Sequence, residues 1–199
     1  MIDYILIMLN YTQLLVDQNY TLTLILYFLF CLLFFFLSLP GGFIITLSSG
    51  FFFGFYIGFI INITSITIGS LFFMIISKYF FLNYFNYYLS KYTDKLNKII
   101  KKSSYEYLIL IRLIFGIPLI VQNLFISTLE ISKVKFIISS IIGFTPYFLI
   151  FSYVGDKISD LLEIKSFSIK SVFSIEIIII LIILAFVLIF RIFYKINSK

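Results

Sequence analysis

The chain has 199 residues, 62% of them hydrophobic and 12% charged, with a mean hydropathy of +1.13. A soluble domain keeps about 25% of its residues charged, so a water-soluble fold is excluded. The formal net charge of +6 does not mark a nucleic-acid binder, because the basic residues sit in short gaps between apolar runs, where anchors facing anionic lipid belong.

Residues 1–21 contain Asp3 and Asp17 and lack the basic start and small-residue cleavage pattern of a signal peptide; an interfacial segment is expected there. From Gln18 to Ser77 there is no charged side chain, a run of 60 residues. As one helix it would extend about 90 Å, roughly three times the hydrocarbon thickness of a bilayer. A first span is expected at about 22–39. It holds Cys31, the single cysteine, which excludes an intrachain disulfide. Pro40-Gly41-Gly42 then breaks the run, since proline removes a backbone donor and glycine opens conformations closed to other residues. Two readings follow for the next stretch: two full spans, or a re-entrant hairpin over about 40–58 and one full span over about 59–77. Non-helical backbone at membrane depth must be covered by protein or a wet cavity.

Beyond Lys78, apolar residues recur at Phe85, Leu89, Tyr92, Leu96 and Ile99, with Lys91, Lys95, Lys98 and Lys102 on another face. An amphipathic linker at the headgroups is expected over 83–105, with a solvated connector as the alternative. Residues 107–128 are apolar again but carry Arg112, Pro118, Gln122 and Asn123, and form the second re-entrant candidate. A polar turn leads to a span at about 136–154, which contains Gly143 and Pro146. A mixed-charge loop over 156–170 precedes a C-terminal transmembrane helix and basic tail at 172–199. Glu176, one turn into that helix, reads as an interfacial carboxylate rather than a proton carrier.

Charge distribution separates the two topologies. If every apolar segment crosses, the fourteen basic residues other than Arg112 divide nine against five. If 40–58 and 107–128 are re-entrant, the division is eleven against three, and Lys157, Lys165 and Lys170 on the minority side are offset by Asp156, Asp160 and Glu163. The positive-inside bias favours the second arrangement. The expected fold is therefore an all-α polytopic membrane protein, a helical bundle with two inverted, opposed re-entrant hairpins inside a membrane domain over 22–171. Paired broken segments of this kind point to a transport site between repeats.

Gly50, Gly54 and Gly58 follow each other at four-residue intervals, and with Gly69, Gly143 and Pro146 they are expected at close helix contacts. Arg112 is the most constrained residue. A central arginine costs at least about 2.5–3.5 kcal/mol in a membrane helix, so it must face a partner, a cavity or the interface. Its planar fork of donors suits a lipid phosphate; snorkelling, or pairing with Glu106 or Glu130, is the structural alternative. Pro118 and Asn123, with Pro40 and Gly41, offer polar atoms at membrane depth. With no histidine, one cysteine and no clustered carboxylates, neither a metal site nor a catalytic triad is expected, and no enzyme and no cofactor.

The segment PGGFIITLSSGFFFGFYIG at 40–58, with Gly69 and Lys78-Tyr79 after it, resembles the first signature of the VTT-domain superfamily, which includes DedA proteins, the Tvp-type branch and SNARE-associated Golgi proteins. RLIFGIP at 112–118, Asn123, GFTP at 143–146 and Gly155 are similar to the second. The resemblance covers about 36 to 160. It implies two re-entrant hairpins facing each other and a role in scrambling phospholipids or flipping polyprenyl-phosphate carriers. It places Pro40, Gly41, Gly50, Gly54 and Gly58 in the first hairpin and Arg112, Pro118 and Asn123 in the second. The chain departs from DedA-type members in having no acid between Asp17 and Asp94 and one arginine in the second hairpin. Passive lipid movement and the Tvp-type branch are expected rather than proton-driven flipping. A membrane scaffold or assembly factor is the alternative, and a small-ion transporter a weaker one. Membrane lipids are the expected partners, with a second copy of the chain admitted. The expected location is the cell inner (plasma) membrane, multi-pass, since the chain is short and carries no targeting extension; an internal eukaryotic membrane is the alternative.

Overall fold

The structure, a computed structural model, describes residues 11–16, 18–80, 104–114 and 116–163, with the side chains of 104 and 159–163 left aside. The expected linker, except for its last two residues, and the expected C-terminal helix and tail lie outside the described residues, as does much of 1–21. Among the described residues every element is a helix: α1 (Tyr20–Phe36), α2 (Gly42–Phe80), α3 (Ser104–Leu113), α4 (Leu119–Ser127) and α5 (Lys133–Glu163).

α1 has no glycine or proline in its interior, and it closes where breakers begin. The Leu37, Ser38 and Leu39 N–H groups bond back to the carbonyls of Leu33, Phe35 and Phe34. Ser38 then takes φ 51° and Gly41 φ 93°, left-handed values that turn the chain. The first part of α2 runs back along α1. The Tyr27 hydroxyl donates to the Ile45 carbonyl at 2.7 Å and lies 2.7 Å from Ser48 Oγ. The Tyr20 ring meets Phe53 at 5.9 Å, while Gly42 lies beside Phe35. Low-numbered residues of α1 thus meet high-numbered residues of 42–53, an antiparallel helical hairpin whose tip is 37–41.

α2 itself reverses at Gly54, whose φ of 76° and ψ of 171° are not helical. In a continuous helix Thr46 and Asn62 would stand about 24 Å apart. Instead Asn62 Nδ2 lies 3.2 Å from the Thr46 carbonyl and 2.6 Å from Ser49 Oγ, and Gly58 abuts the backbone of Ser49 and Gly50. The segment 55–80 is therefore a separate long helix lying against 42–53. Residues 40–58 accordingly contain a tip, a 12-residue arm and a second reversal, and the return arm is continuous with the expected span at 59–77.

The second half repeats the plan. α3 ends at a tip over 114–118, where Gly116 has φ 93°. α4 leads away from the tip, and a short turn at 128–132 feeds α5. Asp156 of α5 lies at Gly54 and Ser152 beside Gly50 and Asn62, whereas Gly143 packs on Arg112 of α3. α5 therefore runs antiparallel to 55–80. Asn123 Nδ2 reaches both Ser38 Oγ at 2.9 Å and Ser70 Oγ at 3.2 Å, which sets the first tip beside Ser70. By helical rise, Ser70 is about 22 Å from residue 55 and about 15 Å from residue 80. Both tips therefore lie near the middle of the long helices.

Glycines make these approaches. A Cβ on Gly50 would collide with the Ser152 backbone, and one on Gly69 with the backbone of α1 between Leu32 and Phe36. Without a hydrophobic force between helices in lipid, such backbone proximity supplies the packing. The outer surface is apolar: Leu22, Leu26 and Leu29 on α1, Ile60 and Phe72 on α2, and Val134 and Ile142 on α5 are all exposed. A soluble protein rarely exposes so continuous an apolar coat.

Candidate functional site

Between the two tips lies a cavity of about 660 Å³. Ser38, Leu39, Pro40, Gly41 and Gly42 form one wall, residues 112–114 and 116–120 another, and Phe144, Pro146, Tyr147 and Phe148 of α5 a third. Most of the lining is apolar. Leu39, Ile114 and Ile120 are exposed on the outside as well as lining the cavity, so it meets the lateral surface where the tips meet.

Arg112 sits in this wall, 4% exposed. Its Nη1 donates to Asn123 Oδ1 at 2.7 Å and reaches Gln122 Oε1 at 3.5 Å. The guanidinium lies over the rings of Phe136 and Phe144, 5.0 and 4.9 Å from their centroids. Nε and Nη2 have no hydrogen-bond partner. The charge is thus held by amide oxygens and aromatic faces, not by a carboxylate. An unpaired buried cation is costly, and a guanidinium is not deprotonated in proteins. Two of its donor atoms are thus buried without an acceptor among the described residues.

Asn123, wholly buried, is the hub that connects the halves. It accepts from Arg112 and donates to Ser38 and Ser70. Gln122 Nε2 donates to the Ile117 carbonyl at 3.2 Å, closing part of the second tip. Pro146 lines the cavity from within α5, where the missing proline N–H leaves the carbonyl one turn earlier without its helical partner. Pro40, Gly41 and Pro118 all line the same space as Arg112. Gly50 and Gly58 lie instead in the contact between 42–53, 55–80 and α5, Gly69 lies against α1, and Gly143 makes room for the Arg112 stem. Gly54 is the reversal: a Cβ there would meet Asp156 Oδ1 at an ordinary 3.5 Å.

Several residues enter the site that no sequence signal singled out. Ser38 and Ser70 are single serines within apolar stretches. Phe136 and Phe144 were two among 27 phenylalanines. Asp156 looked like a loop charge, yet its carboxylate accepts the Phe55 N–H at 3.2 Å and so caps the long helix from another element.

The family model for the VTT domain matches residues 39–157, well over half of the chain. The chain belongs to the VTT-domain family. The matched segment opens within the first tip and ends at Lys157, so the VTT domain takes in the second tip, the helix 55–80 and most of α5. No curated protein and no solved structure matches the chain. Gly42–Phe80 and Lys133–Ile158 are long and apolar enough to cross a bilayer, with 55–80 alone about 39 Å long. Together with the VTT domain and the apolar coat, they make this a membrane protein.

Proposed function

We propose that this VTT domain moves lipids between the leaflets, with the cavity between the two tips as the path for the headgroup. The long helices 55–80 and 133–158 cross the bilayer. The hairpin 20–53 enters from one face and the hairpin 104–127 from the other, each turning back near mid-depth. Broken segments of that kind are tolerated only where they line a cavity or pack in protein, and these do both. The observation that carries the reading is Arg112: a buried guanidinium with two unused donor atoms, at the wall of a cavity that reaches the lateral surface. Arg112 attracts the phosphate, Asn123 holds Arg112 to both halves, and the apolar lining lets the acyl chains remain in lipid. Among the described residues no acid lines the cavity wall, which agrees with passive movement rather than proton coupling.

Purified protein in liposomes with a headgroup-labelled phospholipid and an impermeant quencher tests this. Quenching beyond the outer-leaflet half, faster than in protein-free vesicles, is expected, and Arg112→Gln should slow it about tenfold or more. Protection of the inner half at the rate of empty vesicles would sink the reading.

A further inference from the structure

The first tip closes α1 with a hydrogen-bond pattern that belongs to glycine. Leu37 ends the helix with helical backbone, φ −71° and ψ −7°. The Ser38 N–H then bonds to the Phe35 carbonyl at 3.1 Å and the Leu39 N–H to the Phe34 carbonyl at 3.3 Å, the paired closure of a Schellman motif. The residue after the cap in that motif is left-handed, here with φ 51°. Glycine is its usual occupant, because a Cβ is penalised there. Among the described residues Ser38 is the one non-glycine residue with positive φ.

The side chain at 38 is what a glycine would forfeit. In a tip whose Leu37, Leu39 and Pro40 are exposed, Ser38 is buried. Its hydroxyl oxygen accepts from Asn123 Nδ2 at 2.9 Å. Asn123 commits its whole amide to this arrangement: Nδ2 also donates to Ser70 Oγ at 3.2 Å, and Oδ1 accepts from Arg112 at 2.7 Å. Next to it in the chain, Gln122 Nε2 donates to the Ile117 carbonyl of the second tip. Adjacent side chains of α4 thus hold one tip each, with the cavity between the tips. Around Gly41 there is open space, with no atom within 4 Å of a Cβ built there, so packing does not immobilise the tip at that point.

We propose that Ser38 is a catch: the bond from Asn123 holds the first tip beside α4 against the strained backbone at 38, and its release swings the tip and widens the mouth of the cavity at Leu39. Left-handed backbone at a residue with a side chain persists only where surrounding contacts over-determine it. A single bond between neutral groups is weak enough to break and remake as a loop moves. The catch concerns the geometry of the cavity whatever passes through it; its effect on rate rests on the lipid reading above.

Two substitutions separate the bond from the strain. Ser38→Gly loses the hydroxyl and relieves the backbone, whereas Ser38→Ala loses the hydroxyl and keeps the strain. Unfolding of the full chain is followed by exposure of Cys31, which is wholly buried. Ser38→Gly should keep a midpoint close to the parent's, and the folding equilibrium of Ser38→Ala should be about fivefold less favourable than that of Ser38→Gly. Equal stability of the two variants removes the strain from position 38 and overturns the catch.

The place of the tip is read in lipid nanodiscs by spin labels at positions 39 and 134, where Leu39 and Val134 are exposed, in a Cys31→Ser background. Labels at positions 60 and 134 report the long helices alone. Both variants should broaden and displace the 39–134 distance distribution and leave 60–134 unchanged. A parental 39–134 distribution in Ser38→Gly overturns the proposal. So does a change in both pairs, since the whole bundle has then loosened. In liposomes Ser38→Gly should move labelled phospholipid about threefold faster or more, because opening is the step that the catch holds back. A displaced tip with no lipid movement in either protein keeps the catch and sinks the lipid reading. Movement no faster than the parent's, from a parent that does move lipid, overturns the catch as a brake on passage.

Discussion

At the scale of single residues, the cavity wall is organised by one charge and one amide. Arg112 stacks over Phe136 and Phe144 and spends one nitrogen on Asn123 and Gln122. Asn123 in turn holds Ser38 and Ser70, so the amide links residues of α1's tip, the long helix 55–80 and α3. Replacing it with a carboxylate separates structure from function. Asn123→Asp loses the donors to Ser38 and Ser70 but sets a negative charge 2.7 Å from Nη1, which satisfies Arg112 from inside. The expected outcome is an unfolding midpoint close to the parent's, with lipid movement slowed about tenfold or more. Unimpaired movement would show that the guanidinium need not be open to an anion.

At the scale of elements, two glycines at four-residue spacing do unlike things. Gly54 adopts φ 76° and ψ 171°, a region essentially reserved for glycine, and lets α2 fold back on itself. Gly50 has ordinary helical backbone but leaves no room for a side chain against Ser152. Gly54→Ala should therefore lower stability by about 1–3 kcal/mol through backbone strain. Gly50→Ala should cost about 1–3 kcal/mol or more through overpacking, as neither backbone can give way. Both are measured as shifts in denaturant midpoint by Cys31 accessibility. An unchanged midpoint for Gly54→Ala would remove the reversal at that residue. The reversal also explains Asp156: a new helix start at 55 has unpaired N–H groups, and a carboxylate from α5 meets one of them.

At the scale of the whole molecule, the two hairpins open in opposite directions, because α5 and 55–80 run antiparallel with the tips at their middles. Cysteines introduced in a Cys31→Ser background test this arrangement. Tyr56, 78% exposed, lies near the Gly54 end, and Glu130 lies in the turn at the other. An impermeant maleimide should label positions 56 and 130 from opposite faces of the membrane, and Leu39 at the first tip from neither. Labelling of 56 and 130 from the same face would remove the crossing helices between them.

What the sequence determined by itself is what each residue carries locally. The 60-residue uncharged run requires lipid as solvent, Pro40-Gly41 and Pro118 mark interruptions, and a lone Arg112 in an apolar stretch demands shelter. Family signatures added the pairing of two broken segments. Tertiary contact alone decided which segments fold against which. The break at Pro40 is a tip because α1 pairs with 42–53, and Gly54 is a turn rather than one more packing glycine because Thr46 meets Asn62. Arg112 faces amides rather than a carboxylate because α4 folds back beside it. The bonds that decide these matters join Asn123 to Ser38 and Phe55 to Asp156, partners 85 and 101 positions apart. Hydropathy and breaker residues act within a few positions, whereas close approach of helix backbones depends on where small residues meet in space, and no periodicity along the chain records that.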